Sequence, residues 1–121
     1  GHRPGQRWMA LNLLEELEGR KIAILGDMLE LGPYEQQGHR LVGARAAEVC
    51  SELVAVGPRS KTTVQAARQA GMPAASITWF EQAPDAIDYL KEHLQKGDTA
   101  LVKGSLGMGM ARIVNALEIE S

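Results

Sequence analysis

Four short apolar runs, spaced along the chain and separated by stretches with helical periodicity, leave few folds open to this sequence. The runs are Lys21–Gly26 (KIAILG), Leu53–Gly57 (LVAVG), Ile77–Phe80 (ITWF) and Thr99–Gly104 (TALVKG). They are too short for helices and show no apolar–polar alternation, so they read as strands buried on both faces, as in a parallel sheet.

The intervening stretches carry apolar stripes at helical spacing. Val42, Ala46, Val49 and Leu53 recur at four, three and four residues, and Ala83, Ile87, Leu90 and Leu94 do the same. Pro84 suits the first turn of the second stripe's helix, and Gly97 suits its C-terminal cap. Lys61–Gly71 is a weaker helix with Val64 and Ala67 facing inward. A leading helix carries Ala10, Leu13, Leu14 and Leu17 and stops near Gly19. A last helix carries Met110, Ile113, Val114 and Leu117. Strands that alternate with helices imply right-handed crossovers. The expected class is α/β, a three-layer sandwich with a mostly parallel sheet flanked by helices.

Composition narrows the class further. The 121 residues are enough for one domain and one core, with no linker or repeat to divide them. Hydrophobic residues make up 45% and charged residues 23%, as in soluble globular proteins, and no apolar run approaches a membrane span. A formal net charge of −2 argues against a nucleic-acid partner. The single cysteine, Cys50, cannot form an internal disulfide and suits a reducing, cytoplasmic setting. Membrane and nucleic-acid partners are therefore not expected.

In open α/β sheets, ligands meet the loops at the carboxyl ends of the strands. Two such loops are chemically unusual. Leu25–Gly32 (LGDMLELG) puts the carboxylates of Asp27 and Glu30 three residues apart. They could hold an ammonium group, a ribose hydroxyl or, through water, a magnesium ion; Asp27 could instead cap a helical turn or bond loop amides. Two carboxylates without a third ligand are a weak metal signal. Lys103–Met110 (KGSLGMGM) ends an apolar strand with a lysine. Its glycines let backbone amides approach an anion at the start of the next helix, although a glycine-rich turn beside a solvated lysine reads equally well. The GxxxxGK[ST] order of a P-loop and the GxSxG order of a serine nucleophile are both absent. His39 follows the first loop, where a lone histidine is more often a hydrogen-bonding residue than a base.

Taken together, Ile24–Gly43 (ILGDMLELGPYEQQGHRLVG) and Gly97–Val114 (GDTALVKGSLGMGMARIV) resemble the paired signatures of the Mur ligases. Within that family they are similar to the enzymes that join D-alanyl-D-alanine to UDP-N-acetylmuramoyl-tripeptide in peptidoglycan precursor synthesis. The resemblance implies three domains. An N-terminal domain binds the UDP moiety, a central domain holds the P-loop, ATP and magnesium, and residues 1–121 form the third, Rossmann-like domain. It implies a reaction in which ATP activates the tripeptide carboxylate as an acyl phosphate, the dipeptide amine attacks, and phosphate leaves. The third domain closes over that centre and carries no catalytic residue or metal ligand of its own. Asp27, Glu30, His39, Lys103, Gly104 and Ser105 are the positions the resemblance assigns to nucleotide and substrate binding.

Two departures qualify the resemblance. The family has an Asn-Ala-Asn/Ser-Pro stretch before the leading helix. Here Pro4 can match its proline, but Gly1, His2 and Arg3 precede it. Residues 1–7 are expected to be either foreign to the domain or a shortened form of the motif that lacks the nucleotide contact. Leu106 stands where the family commonly has arginine, so a bidentate carboxylate contact is lost there. That contact would fall to Lys103, Arg112 or loop amides. The residues by themselves also admit an independent nucleotide- or metabolite-binding module, or a ligand-free structural domain. If the two loops form one site, both must open at the same edge of the sheet.

Overall fold

A computed structural model describes residues 15–104, together with Leu11 and Ile113. Its order is β1 (Lys21–Gly26), a 3-10 segment (Leu29–Tyr34), α1 (Glu35–Val49), β2 (Glu52–Val56), α2 (Ser60–Gln69), a short 3-10 turn (Ala74–Ser76), β3 (Ile77–Phe80), α3 (Ala83–His93) and β4 (Thr99–Lys103). The four strands form one sheet in the order β3-β2-β1-β4, with every pairing parallel. The four apolar runs are the four strands, with ends shifted by no more than one residue.

Alternation of side chains along the strands divides the core in two. Ala23, Leu25 and Leu53 face one side and pack with Val42 and Ala46 of α1 and Ala67 of α2. Ile22, Ile24, Val54 and Val56 face the other and pack with Ala83, Ala86 and Leu90 of α3 and with Ile113. The expected three layers are therefore present: α1 and α2 on one face of the sheet, α3 on the other. Among the described residues, no helix is long and apolar enough to cross a membrane.

Several sequence expectations shift in detail. Cys50 is extended, so α1 ends at Val49 and Leu53 belongs to β2. The buried face of α1 runs through His39, Val42, Gly43 and Ala46. In α2 the buried residues are Ser60, Thr63, Ala66 and Ala67, while Val64 is only half-buried. The cause is the close approach of α1, because a Cβ on Gly43 would run into the Thr63 carbonyl oxygen. Two small positions facing each other let these helices pack almost backbone to backbone. Gly97 does not cap α3, whose helical residues end at His93; it provides the positive φ of a turn closed by the Asp98 N–H on the Gln95 carbonyl. Leu11 is helical and buried, but Leu17 is exposed in a bend, so it does not extend the leading stripe. Ala10, Leu13, Leu14, Met110, Val114 and Leu117 lie outside the described residues. Cys50 is buried, and burial pushes its thiol up to about 11, which leaves it protonated near neutrality.

The amino ends of the strands are tied by Arg20. Its guanidinium donates two bonds to Asp98, from Nε at 3.0 Å and Nη2 at 2.6 Å, a third to Glu52 at 3.2 Å and a fourth to the His93 carbonyl at 3.0 Å. One side chain thus joins the starts of β1, β2 and β4 to the end of α3. The Arg20 hydrogen bonds hold the Asp98 carboxyl below its ordinary range. A carboxylate with a depressed folded-state pKa stabilises the fold fully above its unfolded value and loses that contribution as pH falls through the folded value. Asp98→Asn should therefore cost about 2 kcal/mol at pH 7. Thermal melts of both proteins from pH 7 to pH 2 should show the gap in Tm closing below roughly pH 4.

Candidate functional site

The strand order fixes where a ligand can sit. From β1 the chain crosses to β2 and then β3 on one side, whereas β4 lies on the other side of β1. The connections therefore part at the carboxyl ends of β1 and β4, the usual ligand crevice of an open parallel sheet. Both unusual loops leave from there. Leu25 is in register with Lys103, so Asp27 and Lys103 belong to the same edge of the sheet, as a shared site requires.

Asp27 is fully buried and faces α2. Its Oδ1 accepts the Ser60 N–H at 2.7 Å and the Ser60 hydroxyl at 2.9 Å, and its Oδ2 accepts the Arg59 N–H at 3.1 Å. The carboxylate thus caps the N-terminus of a helix 33 positions away in sequence. That is favourable both for the otherwise unpartnered amides and for the helix dipole. Of the alternatives open from sequence, bonding to loop and helix amides is the one the geometry displays. Gly57 makes room for it, with φ at 108° and an imaginary Cβ lying 2.6–2.7 Å from all three carboxyl atoms.

The segment after Asp27 folds back onto α1. Leu31 lies over Gly38, where a Cβ would meet its methyl group. The next residue, His39, is buried, with Nε2 3.1 Å from the Met28 amide nitrogen and Nδ1 2.6 Å from the Glu35 carbonyl oxygen. The Glu35 carboxylate in turn accepts the Arg59 Nε–H at 2.6 Å. Asp27, Arg59, Glu35, His39 and Met28 therefore form a closed ring linking the end of β1, the first turn of α1 and the start of α2. Glu30 projects from the segment that this ring holds, and it is exposed.

Beside the loop lies a small hollow of about 10 Å³, the size of one water molecule. Leu11, Leu25, Met28, Val42 and Leu101 make its apolar wall, and Gly26, Thr63 and Lys103 contribute the remaining surface. Lys103 and Gly104, at the end of β4, are half-buried. The structure thus brings Asp27, Glu30, His39, Lys103 and Gly104 to one region of the carboxyl edge. Ser105, Leu106 and Arg112 lie outside the described residues. Among the described residues no group of three or more His, Cys, Asp or Glu side chains could hold a metal ion.

Sequence reasoning passed over Gly57, Arg59 and Ser60. Their signal was present in the GPRS that follows LVAVG, a glycine exit with a serine at a helix start. What it lacked was any local sign that the partner carboxylate lies a whole crossover away.

A four-stranded parallel sheet with Gly26 and Lys103 at its switch point and helices on both faces defines a Rossmann-like α/β domain. A family model described as Mur ligase, glutamate ligase domain, matches residues 1–106, and the chain belongs to that family. It is 32% identical over 114 residues to the UDP-N-acetylmuramoyl-tripeptide–D-alanyl-D-alanine ligase of Bacillus subtilis, covering 93% of this chain and 25% of that protein. Identity to the Synechocystis ligase of the same name is 33% over 116 residues, covering 93% and 24%. The chain therefore spans about a quarter of the length of these relatives. The MurF ligase of Thermotoga maritima in complex with ADP shares the fold at a TM-score of 0.76 and 22% identity, over 99% of this chain and 26% of that one. A MurF from Acinetobacter baumannii does so at 0.75 and 24%, over 97% and 26%.

Gly57→Ala should destabilise the domain by about 3 kcal/mol, because a positive φ and a clash with a buried carboxylate act together. Asp27→Ala, which strips the cap from the Ser60 and Arg59 amides, should cost about 2–4 kcal/mol. Urea denaturation of the two single variants and the double variant should show strong non-additivity, since both act on the same carboxylate.

Proposed function

We propose that this chain is the carboxy-terminal domain of an ATP-dependent amide ligase that joins D-alanyl-D-alanine to UDP-N-acetylmuramoyl-tripeptide. The observation that carries the proposal is the meeting of the LGDM loop and the Lys103 strand end at the switch point between β1 and β4. Family membership and likeness to ligases of that name support it.

In this reading the chemistry is shared with an N-terminal domain that binds the UDP moiety and a central domain that binds ATP. The described residues do not make a magnesium site, because the Asp27 carboxylate already accepts three protein hydrogen bonds and no acidic cluster stands beside it. Magnesium and the triphosphate therefore fall to the central domain, with nucleotide contacts from this one. ATP activates the tripeptide carboxylate, and this domain presents the attacking dipeptide amine. Lys103, Gly104 and Ser105 hold an anionic group of the dipeptide or nucleotide, and Glu30 faces the closed cleft. Asp27 and His39 serve the same site from behind, by fixing the loop. Holding the amine against an activated carboxylate lowers the entropic part of the barrier. The setting is cytoplasmic peptidoglycan precursor synthesis.

The full-length gene product, given ATP, the UDP-linked tripeptide and D-alanyl-D-alanine, should release phosphate and form the amide. The present chain alone should read background, since it has no P-loop sequence to cradle the β- and γ-phosphates. Turnover by this chain alone, or none by the full-length protein, would overturn the proposal. Lys103→Met in the full-length enzyme keeps the stem's packing and removes the charge. It should lower kcat/KM for the dipeptide by roughly tenfold or more, the scale of one charge-assisted contact. A loss confined to KM means uniform binding of the dipeptide, whereas a loss in kcat means a contact made on closure.

A further inference from the structure

The buried imidazole of His39 has a chemical state dictated by its two partners. The Met28 amide can only donate, so Nε2 at 3.1 Å must accept. The Glu35 carbonyl can only accept, so Nδ1 at 2.6 Å must donate. One species satisfies both, the neutral ring with its proton on Nδ1. An imidazolium, with both nitrogens protonated, has no lone pair for Met28. The Nε2-protonated tautomer would set donor against donor at Met28 and acceptor against acceptor at Glu35.

We infer that His39, locked as the neutral Nδ1–H tautomer, is a positioning residue of the amino-component site. It holds the Met28 amide and so fixes the loop that presents Glu30. The geometry supports this over a ligand-contacting role. His39 is 1% exposed, and each ring nitrogen faces a backbone atom. It is also the only side chain in the ring that joins the loop directly to α1; Asp27 ties the same loop to α2. Met28 follows Asp27 directly, and the turn that carries Glu30 follows Met28. Releasing the Met28 end frees the loop's path while leaving the Asp27 cap in place. The kinetic part of this inference rests on the ligase reading above; the tautomer does not.

Two variants separate the two bonds. In His39→Asn the amide N–H can replace Nδ1 toward Glu35, but nothing reaches Met28. In His39→Gln the side-chain carbonyl can take the place of Nε2 and accept from Met28, at the cost of the Glu35 bond. Each loses one hydrogen bond, so a purely structural role would lower Tm in both and separate neither kinetically. In the full-length ligase, His39→Asn should raise KM for D-alanyl-D-alanine about tenfold, with kcat nearly constant, and His39→Gln should restore KM to within about threefold of the parent. Equal kinetics for the two variants, or an unchanged KM in His39→Asn, would overturn the positioning role. On the present chain, nitrogen-15 NMR of the His39 ring should show Nδ1 protonated and Nε2 unprotonated. Hydrogen exchange at the Met28 amide should quicken in His39→Asn while the Ser60 amide stays protected. A protonated Nε2, or unchanged exchange at Met28, would overturn the tautomer and the anchor. A wild-type full-length enzyme that forms no amide bond would instead overturn the ligase reading, leaving the ring and exchange results to decide the anchor.

Discussion

A carboxylate with no exposed surface, bonded to the first amides of a helix from the neighbouring crossover, is the constraint on which the carboxyl edge of this domain depends. Asp27 lies just beyond β1, and α2 begins just beyond β2, so the bond ties together the exits of two adjacent strands. Burying a carboxyl group is costly unless it is hydrogen-bonded. Here a hydroxyl and two amides at a helix N-terminus meet that need together. Gly57 is the condition for it, because any side chain there would occupy the space of the carboxyl group. The exit of β1 consequently has one path, and the loop that follows starts from a fixed point.

The rest of the edge builds on that fixed point. Leu31 on Gly38 and the Met28 amide on His39 fold the loop back over α1, and Glu35 closes the circuit through Arg59. Short polar contacts of this kind hold a segment more narrowly than apolar packing alone, because each depends on distance and angle. At the opposite edge, Arg20 gathers the starts of three strands, so the sheet is tied at both ends.

Much of this was legible from local pattern. KIAILG and ITWF gave their strands to the residue, and the glycine exits marked where loops leave the sheet. The helical stripes were read less well where a small residue replaced a large one. Gly43 and Thr63 form a close contact between α1 and α2, yet neither counts as apolar in a periodicity argument. Gly97 was mistaken for a cap because a glycine after a helix is the common signal for one, whereas here the helix had already ended. The shared edge of the two loops was legible, and what each residue on it touches was not. Asp27, Glu30 and Lys103 converge on one edge, but the same letters do not say which of them faces a ligand and which faces a helix.

The sequence by itself determined the layer architecture, the parallel sheet and the edge at which the two unusual loops open. Those follow from periodicity and chain direction, which are local properties of the polymer. Only the tertiary structure decided that Asp27 faces α2, that His39 is buried between the Met28 amide and the Glu35 carbonyl, and that Arg59 and Ser60 bond to Asp27. Each of these depends on atoms brought together from separate crossovers, and hydrogen bonds of about 3 Å are set by that meeting and by nothing nearer in the chain.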